Sequence, residues 1–192
     1  MPAPKVLGFS GSTREGSFNR KLLKIALAGA QAAGAEITYV DLKELALPMF
    51  DEDLEKASGA PAGATRLKQL MMSHDGLLIA SPEYNSSVSG ALKNAIDWAS
   101  RPAPGEASLA AFNNKVCAVM ACSPGALGGL RGLVHLRAIL GNINVIMLPQ
   151  QVAVMKAHEA FDDAGNLKDT KQQASAENLG KLVTQVVTKL KA

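Results

Sequence analysis

The stretch "KVLGFSGSTREGSFN", residues 5–19, decides how this chain is read. It opens with an apolar run of strand length, Lys5 to Phe9, and passes at once into a polar turn of Ser10, Gly11, Ser12, Thr13, Arg14, Glu15, Gly16 and Ser17. From residue 19 onward the apolar residues fall at helical spacing, with Leu22, Leu23, Ala26, Leu27 and Ala30 on one face. Strand, tight turn and helix in this order form the opening unit of an α/β sheet. The first turn of a helix carries N–H groups without intrahelical partners and the positive end of its dipole, and both favour an anion. Small residues let the backbone curl closely around such a group, hydroxyls donate further hydrogen bonds, and Arg14 adds a full charge. The turn therefore reads as a phosphate cup. A helix cap alone would need only one such residue, Ser17 or Asn19.

The same alternation continues outward from this unit. Further apolar runs at 36–42, 76–81, 115–122 and 144–154 are rich in Val, Ile, Leu and Met and barely alternate with polar residues, which predicts parallel strands covered on both faces. Helical patterns lie between and after them at 60–73, 89–100, 127–140 and about 170–190. Five strands and five helices predict one domain over 1–192, an α/β three-layer sandwich with a five-stranded parallel sheet and right-handed crossovers. The segment "EKASGAPAGA", 55–64, reads as a surface loop running into a helix. In such sheets ligands sit at the carboxyl ends of the strands, near the point where strand order reverses. Function is therefore expected in "SGSTREGSFN", "SPEYNSSVSG" and "SPGALGGLRG".

Composition narrows the classes. Lys plus Arg exceed Asp plus Glu by 20 − 17 = 3 and are scattered, and aromatics are 4%, so nucleic acid is not expected as a partner. No apolar stretch reaches a membrane span, and the N-terminal run is too short for a signal-peptide core. Cys117 and Cys122 lie in one strand run, "KVCAVMAC". Five residues of strand cover about 16 Å, against roughly 7 Å between bridged Cα atoms. Both read as buried thiols, and a cytoplasmic location is expected. His74, His135 and His158 show no metal-ligand spacing with one another or with the cysteines.

Two phosphate motifs fail on the first loop. Gly11 and Gly16 have the spacing of G-x-x-x-x-G-K-[ST], but Ser17 stands in place of the lysine, and G-x-G-x-x-G is absent. The second loop, "SPEYNSSVSGALKNAIDW" (81–98), is more specific. Pro82 biases Ser81 toward extended geometry and ends the strand, which presents Glu83, Tyr84 and Asn85 at its carboxyl end.

"GSTREGSFN", "PEYNSSVSGALKNAIDW" and "SPGALGG" together resemble the NAD(P)H-dependent FMN reductases, a family of flavodoxin-like quinone, azo-dye and chromate reductases. The resemblance runs from about residue 5 to 154. It implies a phosphate cup of Ser10, Ser12, Arg14, Ser17 and Asn19, with Phe18 turning within it. It implies that Pro82, Glu83, Tyr84 and Asn85 lie along the isoalloxazine, with Ser123 and Gly125 on its other edge. Relatives commonly carry proline where Ser89 stands, so the turn into the following helix is expected to be less rigid here. The implied activity is hydride transfer from NADPH or NADH through bound FMN to quinones, azo compounds, nitroaromatics, chromate or free flavin, with ping-pong kinetics. A homodimer or homotetramer is implied as well, and "LRGLVHLRAIL" (130–140), with leucines on more than one side, reads as an interface element.

Alternatives stay open from the sequence. A flavodoxin-like electron carrier would have the same sheet, although such carriers are strongly acidic, and a flavin-free regulatory relative is a third reading. Glu83 reads as a structural carboxylate that caps N–H groups or pairs with another subunit, with an acid–base role as the competing reading. Trp98 reads as core, the acids at 51, 52, 53 and 55 as a solvated loop, and Lys171, Lys181, Lys189 and Lys191 as a wet helix face.

Overall fold

The computed structural model describes residues 2–192. The first half runs β1 (Lys5–Ser10), α1 (Phe18–Ala32), β2 (Glu36–Asp41), α2 (Glu52–Ser58), α3 (Ala62–Ser73) and β3 (Gly76–Ala80). A hairpin of β4 (Glu83–Tyr84) and β5 (Ser87–Val88) follows, then α4 (Gly90–Ser100), β6 (Val116–Cys122) and α5 (Leu130–Asn142). The chain closes with β7 (Ile146–Val154), α6 (Ala157–Ala160) and α7 (Thr170–Lys191). Five strands pair in parallel in the order β2-β1-β3-β6-β7, the flavodoxin-like order. The chain moves outward from β1 to β2 and then returns to β3 on the other side. The strand order therefore reverses beside β1, where the carboxyl ends Ser10, Asp41 and Ala80 lie in register.

Alternate residues of the central strands feed two cores. Val6, Leu78, Ala118 and Met120 face α1 and α7, while Leu7, Phe9, Ile79 and Val119 face α3, α4 and α5. On α1, Leu22, Leu23, Ala26 and Ala30 have no exposed surface. Full burial of one such leucine contributes about 1.5–3 kcal/mol, against about 1 kcal/mol for a helix cap. Packing therefore fixes where α1 sits, and the loop before it is free to carry polar chemistry. The α1–α7 crossing is close enough to need glycine: a Cβ on Gly29 or Gly180 would run into the opposite helix backbone.

Several expectations need correction. Coverage on both faces holds for β1, β3 and β6, but the edge strands are open: Ile37, Tyr39 and Ile146 are exposed. An edge strand has a neighbour on one side only, so its apolar composition does not guarantee cover. The acidic run at 51–55 is not a loop: Asp51 caps α2 by accepting from Asp53 N at 2.8 Å. Residues 55–58, read as loop, complete that helix. The fourth interstrand helix starts at Leu130 rather than 127, because Gly128 and Gly129 take left-handed backbone (φ 62° and 92°) just before it. The loop at 81–89 contains the β4–β5 hairpin.

The "KNAIDW" block has a structural use. Asn94 donates to Pro48 O and accepts from Phe50 N, both at 2.8 Å, and the indole of Trp98 also donates to Pro48 O. The segment after β2 is thereby pinned onto α4. Trp98 is core, 1% exposed. On α7 the expected wet lysines are exposed, with Lys191 paired to Asp75.

Candidate functional site

At the carboxyl ends of β1, β3 and β6, three loops enclose an open cleft of about 240 Å³. The first loop contributes Ser12, Arg14, Ser17, Phe18 and Asn19, the second Pro82, Glu83 and Tyr84, the third Cys122, Ser123 and Pro124. Ser10, Asn85 and Gly125, also selected from sequence, stand behind or beside the lining. Ser10 is buried and its hydroxyl accepts from Ser12 N. Asn85 sits exposed at the hairpin tip. Gly125 N donates to the Ser123 hydroxyl at 3.2 Å.

The first loop is held from both sides. Gly11 N donates to Ala80 O at 2.9 Å, and the Ser89 hydroxyl donates to Gly11 O at 2.6 Å. A Cβ at Gly11 would meet the Leu92 side chain at 2.7 Å, so the loop can pass this close to α4 only with glycine. Arg20, in the first turn of α1, donates from Nε to Ser12 O and pairs with Asp41 at 2.7 Å. Ser17 caps α1 by accepting from Arg20 N, while its hydroxyl proton remains available to donate. The cap and the cup are compatible roles of one residue.

Asn19 ties the first loop to the third. Its amide donates to Cys122 O and its oxygen accepts from Cys122 N, both at 3.0 Å. The side chain thus lines the cleft mainly as a cross-link between α1 and the end of β6. The third loop is anchored further by Ser123 N to Val154 O and Ala157 N to Ser123 O.

Glu83 lines the cleft, and its carboxylate is held by the start of α5. One oxygen accepts from Arg131 at 2.8 and 3.1 Å, the other from Gly132 N at 3.0 Å. Burial raises its pKa, but the Gly132 N–H and Arg131 outweigh that and leave it below the ordinary value. Glu83 is therefore ionised and fully engaged. Tyr84 stands at the rim, 58% exposed. Arg14, in contrast, has no ion-pair partner among the described residues, and its charge reaches the buried Cys122 thiol, whose pKa burial pushes up. With its one lining carboxylate neutralised and an arginine and a helix start facing it, the cleft favours anions.

Elsewhere several ionisable groups are held by ion pairs or hydrogen bonds. A hollow of about 470 Å³ at the opposite, amino-end edge of the sheet is bordered by Asp75, Lys115 and Lys191. There Lys191 pairs with Asp75, and Lys115 donates to the carbonyls of Met72 and His74. His74 is buried between Leu70 O and the Thr38 hydroxyl, His135 contacts Ser87 on the surface, and His158 pairs with Glu159. Among the described residues no group of His, Cys, Asp and Glu could hold a metal.

Sequence reading missed Cys122 and Pro124 as lining residues and Arg20, Asp41 and Arg131 as supports. Arg20 carried a faint signal, since it follows Asn19 on the first helical turn. Arg131 lies in "SPGALGGLRG", one of the three stretches where function was expected, although its pairing with Glu83 was not. Asp41 carried no signal, because only the strand order brings it to the site.

The sequence model of the NADPH-dependent FMN reductases matches residues 4–159. The chain is 40% identical over 168 residues to an NAD(P)H-dependent FMN reductase of Pseudomonas aeruginosa, covering 87% of this chain and 86% of that protein. It is 38% identical to an NAD(P)H:quinone oxidoreductase of Solanum tuberosum, over 92% of this chain and 90% of the other. Among solved structures it is similar to the flavoenzyme NAD(P)H:(acceptor) oxidoreductase FerB of Paracoccus denitrificans. That match has a TM-score of 0.81 and 29% identity, over 97% of this chain and 98% of that one.

Proposed function

The chain belongs to the NADPH-dependent FMN reductase family, and from that premise we propose that it is an FMN-dependent oxidoreductase passing electrons from NAD(P)H to quinones. The chemistry FMN supplies when bound is hydride uptake from the nicotinamide and two-electron delivery to an acceptor. The observation that carries the reading is the charge arrangement of the cleft: Arg14 is unpaired beside the start of α1, while the Glu83 carboxylate is engaged by Arg131 and Gly132.

The residues present fit the cofactor. Ser12, Arg14, Ser17 and the first N–H groups of α1 would hold the 5′-phosphate. Pro82, Glu83 and Tyr84 would flank one edge of the ring system and Ser123 the other, with Ser10, Asn85 and Gly125 shaping the loops behind. Asn19 sets the width of the cleft by fixing α1 to β6. Glu83, ionised and bound on both oxygens, is not a proton donor, so protons for a reduced acceptor come from solvent at the open mouth. One mouth serves nicotinamide and acceptor alike, which makes the two compete and gives ping-pong kinetics.

The chain acts as a single domain, and its two free, buried thiols suit the reducing cytoplasm. Among the described residues no helix is long and apolar enough to cross a membrane. A homodimer or homotetramer would cover Leu127, Leu130 and Val134, which lie exposed on and before α5 near the cleft.

Anaerobic mixing with NADPH or NADH tests the reading. The yellow protein should bleach at once and regain colour when a quinone is added. A colourless protein that takes up no FMN would sink it, and a yellow one that neither nucleotide bleaches would favour the electron carrier.

A further inference from the structure

The first loop is braced by an aromatic stack whose second ring comes from the far end of the chain. Arg14 places its guanidinium carbon over the Phe18 ring, 5.1 Å from the centroid. Phe18 in turn stacks on Phe161, with centroids 5.9 Å apart and planes only 7° from parallel. Lys21, three residues after Phe18 on α1, lies over the Phe161 ring at 5.7 Å. Phe161 is 8% exposed and directly follows α6. It is held by a small closed turn: Phe161 bridges Leu167, Asp162 N donates to Asn166 O, and Lys168 N donates to Ala160 O. It also lies beyond residues 4–159, the part matched to the family.

We propose that Phe161 is a positioning residue for phosphate recognition, acting through the Phe18 ring on the Arg14 guanidinium; this rests on the phosphate-binding reading of the first loop. Arg14 is exposed on a loop and would otherwise sample many rotamers. A guanidinium lying on an aromatic face is restrained, yet its N–H edges stay free to donate to an anion, in a way that an ion pair with a carboxylate would not allow. The ring can restrain Arg14 only if its own plane is fixed, and the parallel stack on Phe161 fixes it. Lys21 secures the second ring from the same helix.

The test measures discrimination between FMN and riboflavin, which differ only by the phosphate, by flavin-fluorescence titration of the full-length chain freed of flavin. The wild type should bind FMN more tightly than riboflavin. Phe161→Leu keeps apolar bulk but removes the ring, and should lower the FMN-to-riboflavin affinity ratio about three- to fivefold, the size of one cation–π contact, with riboflavin affinity unchanged. Phe161→Tyr restores a ring and should restore the ratio. With Arg14→Ala already present, Phe161→Leu should change the ratio no further. Phe161→Met serves the same comparison if circular dichroism shows Phe161→Leu misfolded.

An unchanged ratio in Phe161→Leu overturns the proposal. So does an equal loss for both flavins, or an equal loss of ratio with and without Arg14. A wild type that does not prefer FMN overturns the phosphate reading itself, and this proposal with it.

Discussion

The Ser89 hydroxyl donates to the carbonyl of Gly11 at 2.6 Å and accepts from Leu92 N at 3.2 Å, so one side chain caps α4 and ties down the first loop. Rigidity at this turn, expected from sequence to be reduced, comes from these two hydrogen bonds. Ser89→Ala should cost about 2 kcal/mol, roughly one for the cap and one for the buried Gly11 carbonyl left without its donor. Ser89 has φ −69°, which proline also adopts. Ser89→Pro should therefore recover about 0.4–1 kcal/mol through the stiffer unfolded chain. Denaturant midpoints should rank wild type above Ser89→Pro above Ser89→Ala, and proline ranking last would contradict the argument.

Asn19 provides a sharper test of how the cleft is built. Its amide group satisfies both the N–H and the C=O of the buried Cys122. Asn19→Ala leaves two buried backbone groups unpaired, at about 1–3 kcal/mol each. Asn19→Asp keeps the acceptor, loses the donor and sets a second negative charge beside the phosphate position. Both variants should be destabilised, but Asn19→Asp should lose more FMN affinity than its loss of stability explains. Calorimetric binding and thermal unfolding on the same samples separate the two effects.

The parts of this site that were legible in the sequence are those whose chemistry is local. Glycines, hydroxyls and an arginine between a strand and a helix describe an anion-binding turn without reference to the rest of the chain. The supports were not legible, because they are long-range: Asp41 meets Arg20 only because β2 lies beside β1, and Arg131 reaches Glu83 across 48 residues. The helix α2 was missed for another reason. It buries no residue, so it leaves no apolar stripe to read. The hairpin was missed because its strands have two residues each and its turn lacks the usual glycine.

That turn suggests a stabilising change. Asn85 and Ser86 both have positive φ, 50° and 66°, as a two-residue turn matching the twist of its strands requires. Asparagine tolerates this backbone and serine does so at a cost. Ser86→Gly relieves the strain but adds freedom to the unfolded chain, for a net gain of about 0.5–1 kcal/mol. The melting temperature should rise by about 1–4 °C. Ser86 does not line the cleft, so FMN affinity should stay the same.

The Glu83 anchor should give the hairpin a pH-dependent hold on α5. Its folded pKa lies below the ordinary 4.5, so the folded state binds this proton less readily than the unfolded one. The stabilisation is therefore complete above about pH 4.5 and is lost as pH falls through the folded value. Glu83→Gln cannot titrate, and at neutral pH it lacks the charge-assisted bonds to Arg131 and Gly132. The stability gap between wild type and Glu83→Gln should be widest near pH 7 and should shrink steadily below pH 4.5. Urea midpoints at pH 7, 5, 4 and 3 measure it, and a gap constant across that range would mean the carboxylate's charge contributes nothing to holding the hairpin in place.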